Sequence, residues 1–147
     1  MKNKLLIIVI LLLLIGCSKE DKFYLDKKYY NNGEFISSSA NTITKLNQDK
    51  ENYIVYIYNY YCTFPTPCED IFKNVLTKYK IDIYSLSYDE MKKTDFYETI
   101  KYSPSVAIIK KGQIVAYLDT EKDEDYNIYQ NEKDFDNWLN KYIYLTL

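Results

Sequence analysis

The sequence predicts an α/β domain of three layers, with helices on both faces of a mixed β-sheet. Three observations carry that prediction. Tyr53-Ile54-Val55-Tyr56-Ile57-Tyr58 is apolar or aromatic at every position, as in a strand covered on both faces. Ile71, Phe72, Val75, Leu76 and Tyr79 then recur at helical spacing before a second strand run, Ile81 to Leu86, which makes a right-handed βαβ unit. Farther on, Lys111-Gly112 separates two strand runs as a two-residue turn, so an antiparallel hairpin joins the parallel pair. No internal repeat and no second domain is visible.

The 147-residue chain opens with a segment outside this fold. Lys2-Asn3-Lys4 is a short basic start, and Leu5 to Ile15 is an unbroken apolar run of 11 residues, too short to span a bilayer as a mature helix. Leu14-Ile15-Gly16-Cys17 then has the form of a bacterial lipobox; the alternative is an ordinary signal peptide followed by a chance cysteine. Residues 1–16 are expected to be a lipoprotein signal peptide, 17–36 a lipidated tether and 37–147 the folded domain. Lipid on Cys17 would anchor the protein at the outer face of the bacterial cytoplasmic membrane, where disulfides persist. Without Lys2 and Lys4 the chain carries 17 lysines against 21 acids.

The elements follow in order. Residues 18–34 are polar and charged, with Asn31-Asn32-Gly33 as a turn, and read as tether plus one edge strand. Ser37-Ser38-Ser39 offers caps for a helix over 39–49, with Ile36, Ala40, Ile43 and Leu46 on its apolar face. Thr66 as N-cap, Pro67 at the first helical position and Glu69 completing a capping box start a helix that runs to about Lys80. Ser87-x-x-Glu90 and Asp95-x-x-Glu98 repeat the capping pattern, so 88–101 reads as short or broken helix. Ser105 to Lys110 and Gln113 to Leu118 are the hairpin strands. Asp119 to Asp125 holds five acids in seven residues and reads as a solvated loop without the spacing of a calcium loop. Asn131 caps a last helix with Phe135, Trp138, Leu139 and Tyr142 on one face.

Composition removes several functions. All 19 basic residues are lysine, and the chain has neither arginine nor histidine. Ser-His-Asp and Cys-His catalysis are excluded, as are histidine-built zinc sites. No arginine fork can grip phosphate or a guanine edge, and a net charge of −2 argues against nucleic acid as a partner. No metal site and no cofactor is expected.

With Cys17 assigned to lipid, two cysteines remain, Cys62 and Cys68, an even pair in an exported chain. Thiol-disulfide exchange needs one accessible thiolate and a second sulfur close enough to resolve the mixed disulfide. Cys68 falls in the first turn of its helix, where the dipole favours a thiolate, and Glu69 and Asp70 oppose that effect. Cys62 lies in the preceding loop and is the more open of the two. A static disulfide is the alternative, and closing so short a loop would contribute only about 2 kcal/mol. An unpaired state also stays open. The string Thr66-Pro67-Cys68 evokes a peroxidase, but that chemistry uses an arginine that this chain lacks.

An aromatic-Cys pair after an apolar strand (Tyr61-Cys62), a Pro-Cys pair opening a helix (Pro67-Cys68), Tyr102-Ser103-Pro104-Ser105-Val106 before a strand, and the hairpin Ile108 to Val115 occur in this order. Over about 39–143 the chain thereby resembles the thioredoxin family. It looks most like the small exported thioredoxin-like proteins of low-GC bacteria, including the bacteriocin transport accessory type. The resemblance implies a thioredoxin-like fold, a cis Ser103-Pro104 bond beside the cysteines, and a substrate groove to which Tyr61, Ser103 and Pro104 contribute. It also makes Cys62 the attacking thiol and Cys68 the resolving one. Exported protein thiols or disulfides would be the substrates, with a membrane redox partner as the electron source or sink. Two departures stand out. The cysteines are spaced Cys-x5-Cys instead of Cys-x-x-Cys, and the strand position that often carries a buried acid holds Tyr56. Both leave a second function open: a non-catalytic binding or secretion-accessory module with a static disulfide.

Overall fold

The run Tyr53–Tyr58 forms the central strand, β2, of a five-stranded sheet in the computed structural model, which describes residues 21–59 and 67–147. The other strands are β1 (Phe35–Ser37), β3 (Ile83–Ser87), β4 (Ser105–Lys110) and β5 (Gln113–Tyr117), in the order β1-β3-β2-β4-β5. β1, β3 and β2 run parallel, whereas β4 pairs antiparallel with both β2 and β5. The sheet is mixed, as expected.

Helix α1 (Ala40–Gln48) precedes β2, and α2 (Cys68–Tyr79) is the crossover between β2 and β3. A single turn, α3 (Tyr88–Met91), and a 3-10 turn (Asp95–Glu98) lead to β4. α4 (Asp123–Gln130) and α5 (Glu132–Tyr142) close the domain and pack with α2. Alternate strand residues point to opposite faces. Tyr53 reaches Asn47 of α1, and Tyr56, an odd number of residues on, meets Phe72 of α2. α1 and α2 therefore cover opposite faces of the sheet. Tyr53 to Ile57 and Val106 to Ile109 are buried throughout, which explains their unbroken apolar pattern.

Several start signals act as read. Ser39 accepts from the Thr42 N–H, Ser87 from that of Glu90, and Asn131 from those of Lys133 and Asp134. Glu90 does not reach back to its own helix start. Its carboxylate accepts from the Ala40 N–H at 2.8 Å and so supplies a second cap to α1. In the 3-10 turn the capping side chain is Thr94, one residue before the Asp95 that the sequence pattern nominates. At the hairpin tip, Lys111 and Gly112 both take positive φ, 52° and 74°, the geometry of a type I′ turn. A Cβ on Gly112 would fall 2.3 Å from the Asn47 carbonyl oxygen, so glycine is needed there for space as well.

Three expectations need correction. From Phe23 onward, the segment read as tether within 17–36 is part of the folded unit. Phe23 bridges to Ile143, Tyr30 bridges to Ile81, and Leu25 and Tyr29 are each 2% exposed. The buried carboxylate of Asp82 accepts from the Asn31 side chain and from the Asn32 and Glu34 N–H groups, which ties that turn down. Ile36 belongs to edge strand β1, not to the face of α1. Finally, the acidic stretch is not all loop. α4 begins at Asp123, with three acids in its first turn where the helix dipole favours them, and Tyr129 is buried beneath it. One buried tyrosine is too thin an apolar face to register as a helix in the sequence.

Candidate active site

Cys68 is the first residue of α2. Pro67 is the N-cap, with extended ψ of 115°, and its carbonyl accepts from the Asp70 N–H at 3.1 Å. The expected capping box placed Pro67 inside the helix and Cys68 at its second position; the helix in fact starts one residue later. Thr66 lies outside the described residues. Glu69 and Asp70 occupy the first turn, and Ile71, Phe72, Val75 and Leu76 bury the helix against the sheet.

That burial leaves Cys68 only 1% exposed. Its Sγ lies 3.7 Å from the Tyr56 hydroxyl of β2. The ring of Tyr56 is wedged among Phe35, Tyr58 and Phe72, with centroids 5.5 to 6.2 Å away. Beside the thiol a cavity of about 420 Å³ is lined by Phe35, Tyr56, Tyr58, Pro67, Glu69 and Ser85, among others. It brings together residues of three adjacent strands and the start of α2.

The Ser103-Pro104 bond is cis, and Pro104 is buried. Ile57 pairs with Ser105 across β2 and β4, so Pro104 stands level with Tyr58 at the C-terminal end of β2, the pole where α2 begins. Its carbonyl accepts a 2.9 Å hydrogen bond from the Tyr129 hydroxyl of α4. Burial, and after it the nearby charges of Asp125 and Cys68, push the Tyr129 phenol well above its ordinary range. Tyr129 therefore remains a neutral donor to Pro104 and ties that residue to the surroundings of Cys68. Ser103 is half-buried and Tyr102 is 50% exposed beside it.

Of the residues nominated from sequence, Cys68, Ser103 and Pro104 are thus gathered at one pole. Cys62, Tyr61 and the lipidation residue Cys17 lie outside the described residues. Tyr129 was not anticipated, because the helix that carries it was not. Phe35 and Ser85 reach the cavity only through strand pairing across 48 residues of sequence, which no local pattern reports.

Comparison with known proteins bears on the fold. No family model matches the sequence, and no curated protein matches it as a relative. Among solved structures, a candidate oxidoreductase with a thioredoxin fold superposes with a TM-score of 0.52 at 17% identity, over 70% of this chain and 91% of that one. The oxidised thioredoxin of Plasmodium falciparum superposes with a TM-score of 0.51 at 16% identity, over 74% and 95%. The chain therefore has a thioredoxin-like fold.

Proposed function

We propose that this protein is a lipid-anchored thiol-disulfide oxidoreductase acting on exported proteins at the outer face of the bacterial cytoplasmic membrane. One observation carries the reading: on a thioredoxin-like fold, Cys68 opens the helix after the central strand, at the pole where cis-Pro104 precedes β4. In the reducing direction, the Cys62 thiolate attacks a substrate disulfide. A mixed disulfide forms and one substrate sulfur leaves as a thiolate. The Cys68 thiolate then attacks the Cys62 sulfur, releases the second substrate thiol and leaves a Cys62–Cys68 disulfide. Two electrons pass to the substrate, and a dithiol donor, such as a membrane redox partner, must restore the pair. The oxidising direction is the same sequence reversed.

Lipid attachment at Cys17 fits the apolar leader and the small exported thioredoxin-like proteins of low-GC bacteria, bacteriocin transport accessory proteins included, that the chain resembles. Among the described residues, Phe23 bridges to Ile143 after the last helix, and its ring lies under Lys110 at the end of β4. A second reading, a non-catalytic module with a static disulfide, is favoured by the Cys-x5-Cys spacing and by the 1% exposure of Cys68.

Trapping in cells separates the two. With Cys17 intact, Cys68→Ser should accumulate covalent mixed disulfides with exported proteins and Cys62→Ser should not. If neither variant captures a partner, the module reading replaces the enzyme. Cys17→Ala should release the protein or leave it unprocessed; a processed Cys17→Ala product still held at the membrane would refute the lipid anchor.

A further inference from the structure

We infer that Tyr56 is a positioning residue for the resolving thiol: its hydroxyl donates a hydrogen bond to the Cys68 thiolate and so sets how readily Cys68 gives up its proton. The inference rests on the redox reading above and deepens it.

The geometry is specific. Tyr56 is 4% exposed and Cys68 is 1% exposed, and they meet at 3.7 Å from opposite sides of the layer between β2 and α2. Three flanking aromatic rings hold the phenol in place. Both residues line the cavity of about 420 Å³, which gives the thiol proton a way to water that the packed core would otherwise deny it.

The chemistry gives this contact a direction. Burial in apolar surroundings disfavours a thiolate, and a hydrogen bond to the charged form favours it. A phenol in this place donates without becoming charged at neutral pH. A carboxylate there would repel the thiolate once ionised. In the resolving step Cys68 releases its proton through the cavity and its sulfur attacks Cys62. The bond between Cys62 and the partner breaks, and the partner leaves as a thiolate. Tyr56 keeps its own proton throughout and only stabilises the charge on sulfur. Among the described residues, the titratable groups around Cys68 include Tyr56 and Tyr58 of β2, Glu69 of α2 and Tyr129 of α4, with Asp119 and Asp125 acting on Tyr129 from the approach to α4 and its first turn.

The test uses the Cys17→Ala, Cys62→Ser protein, so that Cys68 is the remaining cysteine. Its alkylation rate is measured across pH and expressed relative to the plateau at high pH, which cancels differences in access. Tyr56→Phe keeps the ring and removes the hydroxyl; it should lower the relative rate at pH 7 about tenfold. Tyr53→Phe deletes a buried hydroxyl at the other end of the same strand and should leave the rate unchanged. An unaltered profile in folded Tyr56→Phe, or an equal loss in Tyr53→Phe, overturns the inference. Should Tyr56→Phe not fold, the ultraviolet thiolate absorbance of Cys68 is titrated with Tyr56 intact. A thiolate that forms within or below the ordinary cysteine range despite its burial supports the inference, and one that forms only well above that range overturns it. These readouts follow the thiol itself. Failure to trap a partner in cells would therefore count against the redox function and not against this contact.

Discussion

Strand β2 carries two buried tyrosines three residues apart, and the two ends of the sheet use them differently. Tyr53, on the α1 face, donates to the Asn47 side chain at 2.7 Å and packs edge-on against Tyr84. Tyr84 in turn touches Tyr29, whose hydroxyl donates to Glu51, and Lys28 pairs with Glu51 from outside. This network ends on an amide and an ion pair, and its effect is closure, because it fastens the 23–37 segment to the sheet. Tyr56, on the α2 face, directs its hydroxyl at a thiol beside a cavity. A polar chain that ends on carboxylate and lysine is chemically complete. One that ends on an ionisable sulfur with space beside it leaves a reactive group poised. Tyrosine content alone, 18 residues in this chain, does not distinguish the two uses.

The sharpest way to break the comparison is to remove what the cysteine pole stands on. Phe72 is fully buried and its ring meets those of Tyr56, Tyr129 and Phe135. Phe72→Ala should cost about 3–5 kcal/mol in urea unfolding and should also raise the access of reagents to Cys68. A loss under about 1 kcal/mol would show that the pole is not packed through this ring.

At the opposite pole, Asp82→Ala should cost about 1–3 kcal/mol, because the donors from Asn31, Asn32 and Glu34 lose their buried acceptor. The relative alkylation rate of Cys68 should not change. If it does, the two poles are coupled and the contrast fails. Tyr53→Phe should cost about 1 kcal/mol in the same assay, the worth of one buried hydrogen bond. A stabilised variant would mean that the Tyr53–Asn47 bond is not formed.

The smallest effect is a pH trend read at the closed pole. Burial by itself would raise the Asp82 pKa. The N–H groups of Glu34, Asn32 and Gly33 and the Asn31 side chain outweigh it and hold the carboxyl below its ordinary range. Glu51 is likewise depressed, with burial opposing and Lys28 and Tyr29 prevailing. For a depressed carboxyl, the stabilisation is complete above the unfolded pKa and is lost as pH falls through the folded one. The urea midpoint should therefore stay level from neutral pH down to about 5 and decline below about 4. Asp82→Asn should show a shallower decline. An acid slope identical to that of the parent protein would remove Asp82 from this account.

Some of these features are legible in the sequence alone. Local signals carried the caps at Ser39, Ser87 and Asn131, the doubly buried run of β2 and the Lys111-Gly112 turn. Each depends on residues within a few positions of one another. The nomination of Cys68 with Ser103 and Pro104 came from a family likeness, and the structure brings these residues to one pole. Tyr56 was visible only as a departure from that likeness. Tyr129 was hidden, because an acidic, nearly all-polar segment folds as a helix over one buried ring.

The sequence by itself determined the α/β class, the order of most elements and the cysteine that opens α2, since alternation, helical spacing and capping are short-range chemistry. Tertiary structure alone decided that residues 23–36 belong to the domain, that Glu90 caps α1, that Tyr129 holds Pro104 and that Tyr56 meets Cys68. The last three contacts join residues 12 to 50 positions apart and the first segment is held across longer separations still, with partners selected by strand register and helix packing. A pattern read over a few neighbouring residues contains neither.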